Sequence, residues 1–161
     1  MTYWEATVYG TLQGLTEFLP VSSSAHLALA PWLLGWKDPG LAFDVALHMG
    51  TLAAILAYFY ADWLRLASCA LRSPGSREAR LLWLLAAATL PAAAAGLAFE
   101  KQAETFFRQP TRIACALIAF GLLLEIADRL GRKETGLGGI GARQALGVGL
   151  AQALAIIPGV S

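Results

Sequence analysis

The sequence predicts an all-α, polytopic integral membrane protein with re-entrant helices and an internal repeat. Three observations predict it. Of 161 residues, 57% are hydrophobic and only 14% charged, with a mean hydropathy of +0.58, which excludes a disordered tail and an ordinary water-soluble domain. Three apolar runs have the length of a bilayer's hydrocarbon core. Two shorter apolar segments, near the start and the end, each run into a proline followed by serine, as broken helices in repeated membrane folds do.

Taken in order, residues 4–19 are apolar but interrupted by Glu5, Gln13, Glu17 and two glycines, so 4–36 reads as a re-entrant helix pair rather than a span. Such backbone is tolerated at membrane depth only where protein or a wet cavity satisfies it. Residues 41–60 are a 20-residue apolar run broken only by Asp44 and His48, and at 1.5 Å per residue they reach about 30 Å, enough to span. Residues 81–99 form a second span, which Pro91 should kink. The third, 113–130, carries Glu125 and Asp128 near its end, within reach of the interface. Residues 145–157 number only 13 before Pro158, so 145–161 begins a second re-entrant pair. The whole of 1–161 is a single, incomplete membrane domain.

Twelve Lys and Arg against eleven Asp and Glu give a formal charge of +1, which argues against nucleic acid as a partner. Arg65, Arg72, Arg77 and Arg80 follow the first span, and Arg129, Arg132, Lys133 and Arg143 follow the third. Two spans separate these groups, so they share a side, and the positive-inside bias makes it cytoplasmic. Lys37 and the loop with Lys101, Arg108 and Arg112 then lie outside, on Met1's side. The N-terminus has no basic n-region, so no signal peptide is expected. Cys69 and Cys115 lack metal-ligand spacing and read as small buried hydrophobes.

GTLQGLTEFLPVSSS (10–24) and GVGLAQALAIIPGVS (147–161) share their glycines, a Gln, then Pro and Ser in the same order. This reads as two arms of an internal repeat. The second stops one residue into its polar loop, which reads as a fragment of a longer chain.

Gln13 and Glu17 are four apart and share a helix face just before Pro20. A carboxylate within an apolar segment is costly unless paired, hydrated or metal-bound, so Glu17 is a functional candidate. Ser22, Ser23 and Ser24 follow, offering hydroxyls and a cap for a helix beginning near Ala25; His26 lies three beyond Ser23. Capping alone would explain the serines, and a helix-start histidine would explain His26, but their density beside Glu17 favours chemistry. Phosphate chemistry needs this set: helix amides for the anion, a carboxylate for Mg²⁺ or Ca²⁺, and Ser or His to attack or move protons. A guanidinium clamp is the missing part. Asp44 and His48, four apart on a span, either support this site or pair with each other.

The string QGLTEFLPVSSSAHL (13–27) closely resembles the first signature of the undecaprenyl-diphosphate phosphatase family, the bacitracin-resistance membrane phosphatases of bacteria. FDVALHMGTLAA, TLPAAAAGLAFE, FGLLLEIADR and AQALAIIPGVS are similar to family segments in family order. The resemblance implies hydrolysis of a polyprenyl diphosphate to the monophosphate and phosphate, recycling the peptidoglycan carrier, in a multi-pass protein of the bacterial inner membrane with an outward-facing site. Residue by residue it implies the acidic pair at Gln13 and Glu17 and the family's serine and histidine at Ser23 and His26, in an inverted-repeat fold of which this chain is the first part. Taken with the residues themselves, the expectation is catalytic Glu17, Ser23 and His26, a divalent cation (Mg²⁺ or Ca²⁺) on Glu17, substrate binding by Gln13, Ser22, Ser24, Gly159 and Ser161, and Asp44 and His48 either supporting the site or paired with each other. Pro158 to Ser161 match the start of the family's second motif, whose arginine would come next. Membrane lipid is the other expected partner, and a homodimer is left open. The rival reading is half of a polyprenyl-phosphate flippase or transporter, since broken helices in inverted repeats also serve transport.

Overall fold

The computed structural model describes residues 1–131 and 139–160, and among them the regular structure is entirely helical. Arg132 and Lys133 of the third basic group and Ser161 of the second motif lie outside the described residues.

Helix α1 (Tyr3–Thr16) opens on a capping box: Thr2 accepts from the Glu5 amide, and Glu5 reaches back to the Thr2 amide. After a turn through Pro20, α2 (Ser23–Leu34) packs against α1 and ends at Gly35, whose φ of 68° is the left-handed C-cap glycine accepts without strain. The predicted pair over 4–36 is therefore two helices. The second begins at Ser23 rather than near Ala25, and its cap residue Ser22 makes no capping hydrogen bond through its side chain. Tyr9, Leu27 and Ala30 form a small core between them, with Trp36 and Phe43 set edge-on to the Tyr9 ring, each at 5.6 Å.

Helix α3 (Leu41–Tyr58) covers most of the first expected span. It stops at Phe59, whose φ of −97° and ψ of 22° turn the chain into α4 (Tyr60–Arg72). The apolar run to Tyr60 hid this break, because Tyr60 belongs to a second helix of a different kind, strongly amphipathic, that packs Leu66 inward beside α5.

Helix α5 (Arg77–Glu104) is capped by Ser76, which accepts from the Ala79 amide, and at 28 residues exceeds the expected 81–99 at both ends. The expected kink at Pro91 is corrected: helical dihedrals continue through it, and the interior departure falls at Phe99 (φ −116°, ψ 17°). Pro91 lacks one amide and so costs a hydrogen bond, and the dihedrals around it remain helical.

Helix α6 (Pro110–Leu130) starts with proline at its first turn, where no amide is needed, and α7 (Ala142–Ala153) leads through a 3₁₀ turn (Leu154–Ile156) to Pro158. The α5 and α7 backbones cross closely: a Cβ on Gly149 would stand 2.4 Å from the Ala88 carbonyl oxygen. Among the described residues, two helices, Leu41–Tyr58 and Arg77–Glu104, are long and apolar enough to cross a membrane.

The outer faces are apolar, as a lipid solvent requires. Leu97 is 84% exposed, Leu71 85% and Ile118 66%. Cys69 is half-buried, whereas Cys115 is exposed on α6 rather than buried as expected; in a helix whose outer face is apolar, a thiol needs no core to be accommodated. Glu125 is paired with Arg129 at 2.6 Å near the end of α6.

The two Pro-broken segments meet. Gly159, with φ of 104°, donates its amide to Ser22 Oγ at 3.0 Å in a buried contact. A Cβ there would lie 2.9 Å from Ala116 Cβ on α6, so glycine is required on both counts.

Candidate functional site

The site forms where α1 runs out. Gln13 and Glu17, one helical turn apart, turn the same way, and the Gln13 amide donates from Nε2 to Glu17 Oε2 at 2.9 Å. The chain then doubles back through Leu19, Pro20 and Val21 to Ser22. That residue takes φ 62° and ψ 88°, a left-handed conformation costly for a residue with a Cβ. The reversal returns Ser23 to the end of α1, where its hydroxyl donates to Glu17 Oε2 at 2.6 Å. This is a charge-assisted contact of the kind that raises the nucleophilicity of a hydroxyl.

Helix α3 presents Asp44, His48 and Thr51 along one face, at spacings of four and three. Thr51 Oγ1 accepts from Gln13 Nε2 at 3.4 Å and donates to the His48 carbonyl at 2.9 Å. His48 Nδ1 lies 2.8 Å from the Asp44 carbonyl oxygen. A carbonyl can only accept, so Nδ1 carries a proton. Its Nε2 is thereby presented to Ser23 Oγ at 3.4 Å and Glu17 Oε2 at 3.6 Å. The Asp44 carboxylate, itself buried, is paired with Arg108 from the loop between α5 and α6, and the same guanidinium holds Asp38 at 2.8 Å. Burial works against the charge on Arg108, but the bonds and charges of Asp44 and Asp38 outweigh it and hold its pKa above the ordinary arginine value.

A cavity of about 280 Å³ opens on the pair, walled by Glu17, Ser23, Ser24, His48, Gly96 and Gln152. It adjoins a second of about 420 Å³ that shares Ser24, His48 and Gly96 and reaches Asp44 and Arg108. Together they join a hydroxyl, a carboxylate, an imidazole and apolar walls.

The structure brings Gln13, Glu17 and Ser23 together and puts Ser24 on the cavity wall. His26 is placed otherwise than its spacing suggests: its Nδ1 is bonded to the Ser22 carbonyl at 2.8 Å, and the imidazole beside Ser23 is His48. His26 bonds back to the start of its own helix, whereas α3 brings His48 Nε2 to 3.4 Å from Ser23 Oγ. Ser22 and Gly159 bind each other, and so fix the turn. Asp44 and His48 meet through the Asp44 carbonyl, while the Asp44 carboxylate goes to Arg108 and His48 Nε2 lies against Ser23 and Glu17. Sequence reasoning missed Thr51, Asp38 and Arg108. Thr51 had a signal, since it extends the stripe of Asp44 and His48 by another turn.

As to a divalent cation, no group of three or more His, Cys, Asp or Glu that could enclose one is present among the described residues. Glu17 Oε2 carries the contacts from Gln13, Ser23 and His48, so Oε1 remains for a ligand. One carboxylate beside a cavity fits a Mg²⁺-type ion that takes its other ligands from water and phosphate oxygens.

Fold and site define a helical protein with membrane-spanning candidates and a serine held on an acidic side chain where two broken segments meet. It matches the family model described as "Bacitracin resistance protein BacA" over residues 6–161. The chain belongs to that family. It is 53% identical over 161 residues to the undecaprenyl-diphosphatase of Moorella thermoacetica, covering all of this chain and 62% of that protein. It is 52% identical over 161 residues to that of Desulforudis audaxviator, with all of this chain and 62% of the relative covered. With that of Geobacter sulfurreducens the identity is 53% over 166 residues, again all of this chain and 62% of the relative. The chain thus spans about 62% of the length of these curated relatives.

Proposed function

We propose that this chain carries the first catalytic arm of an undecaprenyl-diphosphate phosphatase, hydrolysing the lipid diphosphate to lipid phosphate and inorganic phosphate and so conferring bacitracin resistance. The observation that carries the reading is the Ser23 hydroxyl held 2.6 Å from Glu17 Oε2 on the wall of a cavity, in a chain of this family.

In the proposed reaction Ser23 Oγ attacks the terminal phosphorus while Glu17 takes its proton. The bond from that phosphorus to the bridging oxygen breaks, and its electron pair leaves with the lipid monophosphate. Glu17 passes that proton to the departing bridging oxygen. Water then attacks the serine phosphate, giving a proton to the regenerated Glu17 carboxylate, which returns it to Ser23 Oγ as the phosphorus–Oγ bond breaks and phosphate departs. His48 Nε2 lies beside both Ser23 and Glu17 and closes that side of the pair. Gln13 orients the carboxylate, and Ser24 is placed to bind a phosphate oxygen. Glu17 would hold a Mg²⁺ or Ca²⁺ ion, which when bound supplies neutralising charge for the diphosphate. His26 supports the turn through the Ser22 carbonyl rather than meeting the substrate.

We read residues 4–36 and 145–161 as re-entrant arms of an inverted repeat, and α6 as a third span beside α3 and α5, in a multi-pass protein of the bacterial inner membrane with its site facing outward. The contact between Ser22 and Gly159 supports this, since it ties the two breaks together. The polyprenyl tail would lie against apolar helix faces within the bilayer.

The test is phosphate release from a polyprenyl diphosphate in detergent, using this chain continued with the segment the Moorella thermoacetica relative carries beyond the matched region. Equal amounts of lipid monophosphate and phosphate are expected. Movement of intact lipid across vesicles without hydrolysis would contradict the reading and favour a flippase.

A further inference from the structure

Arg108 is the most enclosed cation in the site's surroundings, and the reaction above makes no use of it. Its side chain is 9% exposed and engages two carboxylates from different elements, Asp38 before α3 and Asp44 in its first turn. Two acids on one guanidinium leave the cluster with a net negative charge, so it is a poor clamp for a diphosphate. Removing the guanidinium would leave the buried Asp44 carboxylate without its counter-charge, which is far costlier than losing a surface pair.

What the cluster touches is α3. Asp44 is bound at both ends: its carboxylate to Arg108, and its carbonyl to His48 Nδ1 at 2.8 Å. One turn on, the His48 carbonyl takes the Thr51 hydroxyl at 2.9 Å, and Thr51 meets Gln13. The stripe of Asp44, His48 and Thr51 is therefore fastened at its start by Arg108 and delivers its other two members to Ser23, Glu17 and Gln13. A helix translates and rotates as a unit, so its first turn sets the register of the rest.

We propose that Arg108 is a positioning residue for the reaction: through Asp44, with Asp38 as its outer anchor, it sets the register of α3 so that His48 Nε2 stays against the Ser23–Glu17 pair. This rests on the phosphatase reading for its consequence in rate, but not for its consequence in geometry, and the experiment separates the two.

The variants are Arg108→Met, Arg108→Lys, Asp44→Asn and the double Arg108→Met/Asp44→Asn, in the continued chain described above. The first readout is independent of turnover. The sequence has two histidines, His26 and His48, so carbethoxylation by diethyl pyrocarbonate, read by peptide mass, reports His48 against His26 as internal reference. Arg108→Met should raise the His48 to His26 ratio at least threefold, and Arg108→Lys should raise it less. The second is kinetic: per folded molecule, kcat should fall about tenfold or more in Arg108→Met with KM changed less than threefold. Because Arg108 acts through Asp44, Asp44→Asn should add little in the Arg108→Met background. An unchanged labelling ratio in folded Arg108→Met overturns the proposal, as does strict additivity in the double variant. If Arg108→Met fails to fold, Arg108→Lys and Asp38→Asn carry the same comparison, and unchanged labelling in both overturns it. A changed ratio with no diphosphatase activity in any form would instead contradict the phosphatase reading while leaving the positioning role standing.

Discussion

Replacing Glu17 by Gln removes basicity while keeping shape, and the hydrogen bonds around it allow the effect to be worked out. Oε2 accepts from Ser23 at 2.6 Å and from Gln13 at 2.9 Å. An amide oxygen in that place can accept both, so the turn from α1 to α2 should survive. The contacts change from charge-assisted to neutral, a loss of about 1 kcal/mol each at a partly exposed site. Glu17 is 28% exposed, so solvent screening reduces even that. Chemistry is affected more. A positioned general base contributes about 10² to 10⁴ in rate, roughly 2.7 to 5.5 kcal/mol of barrier. Glu17→Gln should therefore lose at least about a hundredfold in phosphate release with folded yield near that of the parent. The assay is phosphate release from a polyprenyl diphosphate in detergent, normalised to monodisperse protein. More than about a tenth of the parent rate, a change under roughly 1.4 kcal/mol, would refute the base role.

Other substitutions probe the frame. Gln13→Glu would set a second carboxylate against Glu17 where an amide now donates at 2.9 Å; activity should persist with Mg²⁺ or Ca²⁺ but fall more steeply on chelation than the parent's, and an identical chelator titration would contradict the cation site. Ser22→Ala leaves the buried Gly159 amide without its acceptor and should cost about 1 to 3 kcal/mol, seen as a lower detergent melting temperature. Gly149→Leu drives side-chain atoms into the Ala88 carbonyl, 2.4 Å from where a Cβ would stand, so folded yield should collapse; a normal melt would mean α5 and α7 do not cross as described.

Much of the site was legible because it lies in one stretch of chain. Gln13 and Glu17 share a face by helical spacing alone, and Pro20 followed by serines marks the reversal that returns Ser23 to Glu17. What spacing could not show is which imidazole arrives. His26 is near Ser23 in sequence but belongs to the same helix, whereas His48 comes from α3, 25 residues on. Arg108 is further still, 64 residues from Asp44, and reads in the sequence as an ordinary loop cation. Among the elements, apolar content located α3, α5 and α6. The end of α3 at Phe59 was hidden because Tyr58, Phe59 and Tyr60 form one aromatic run, and only the altered periodicity beyond them marks α4. Pro91 misled in the other direction, since a single missing amide does not by itself break a 28-residue helix.

The central claim is that Ser23, poised on Glu17, is the group that attacks phosphorus. It is tested most directly by acid-quenching the continued chain during turnover of a polyprenyl diphosphate labelled in its terminal phosphate, then locating label on the protein by peptide mass. The account predicts phosphate esterified to Ser23, rising and decaying with turnover. Turnover at the normal rate with no label on the chain at any quench time would contradict it, and would pass the attack to water held by Glu17.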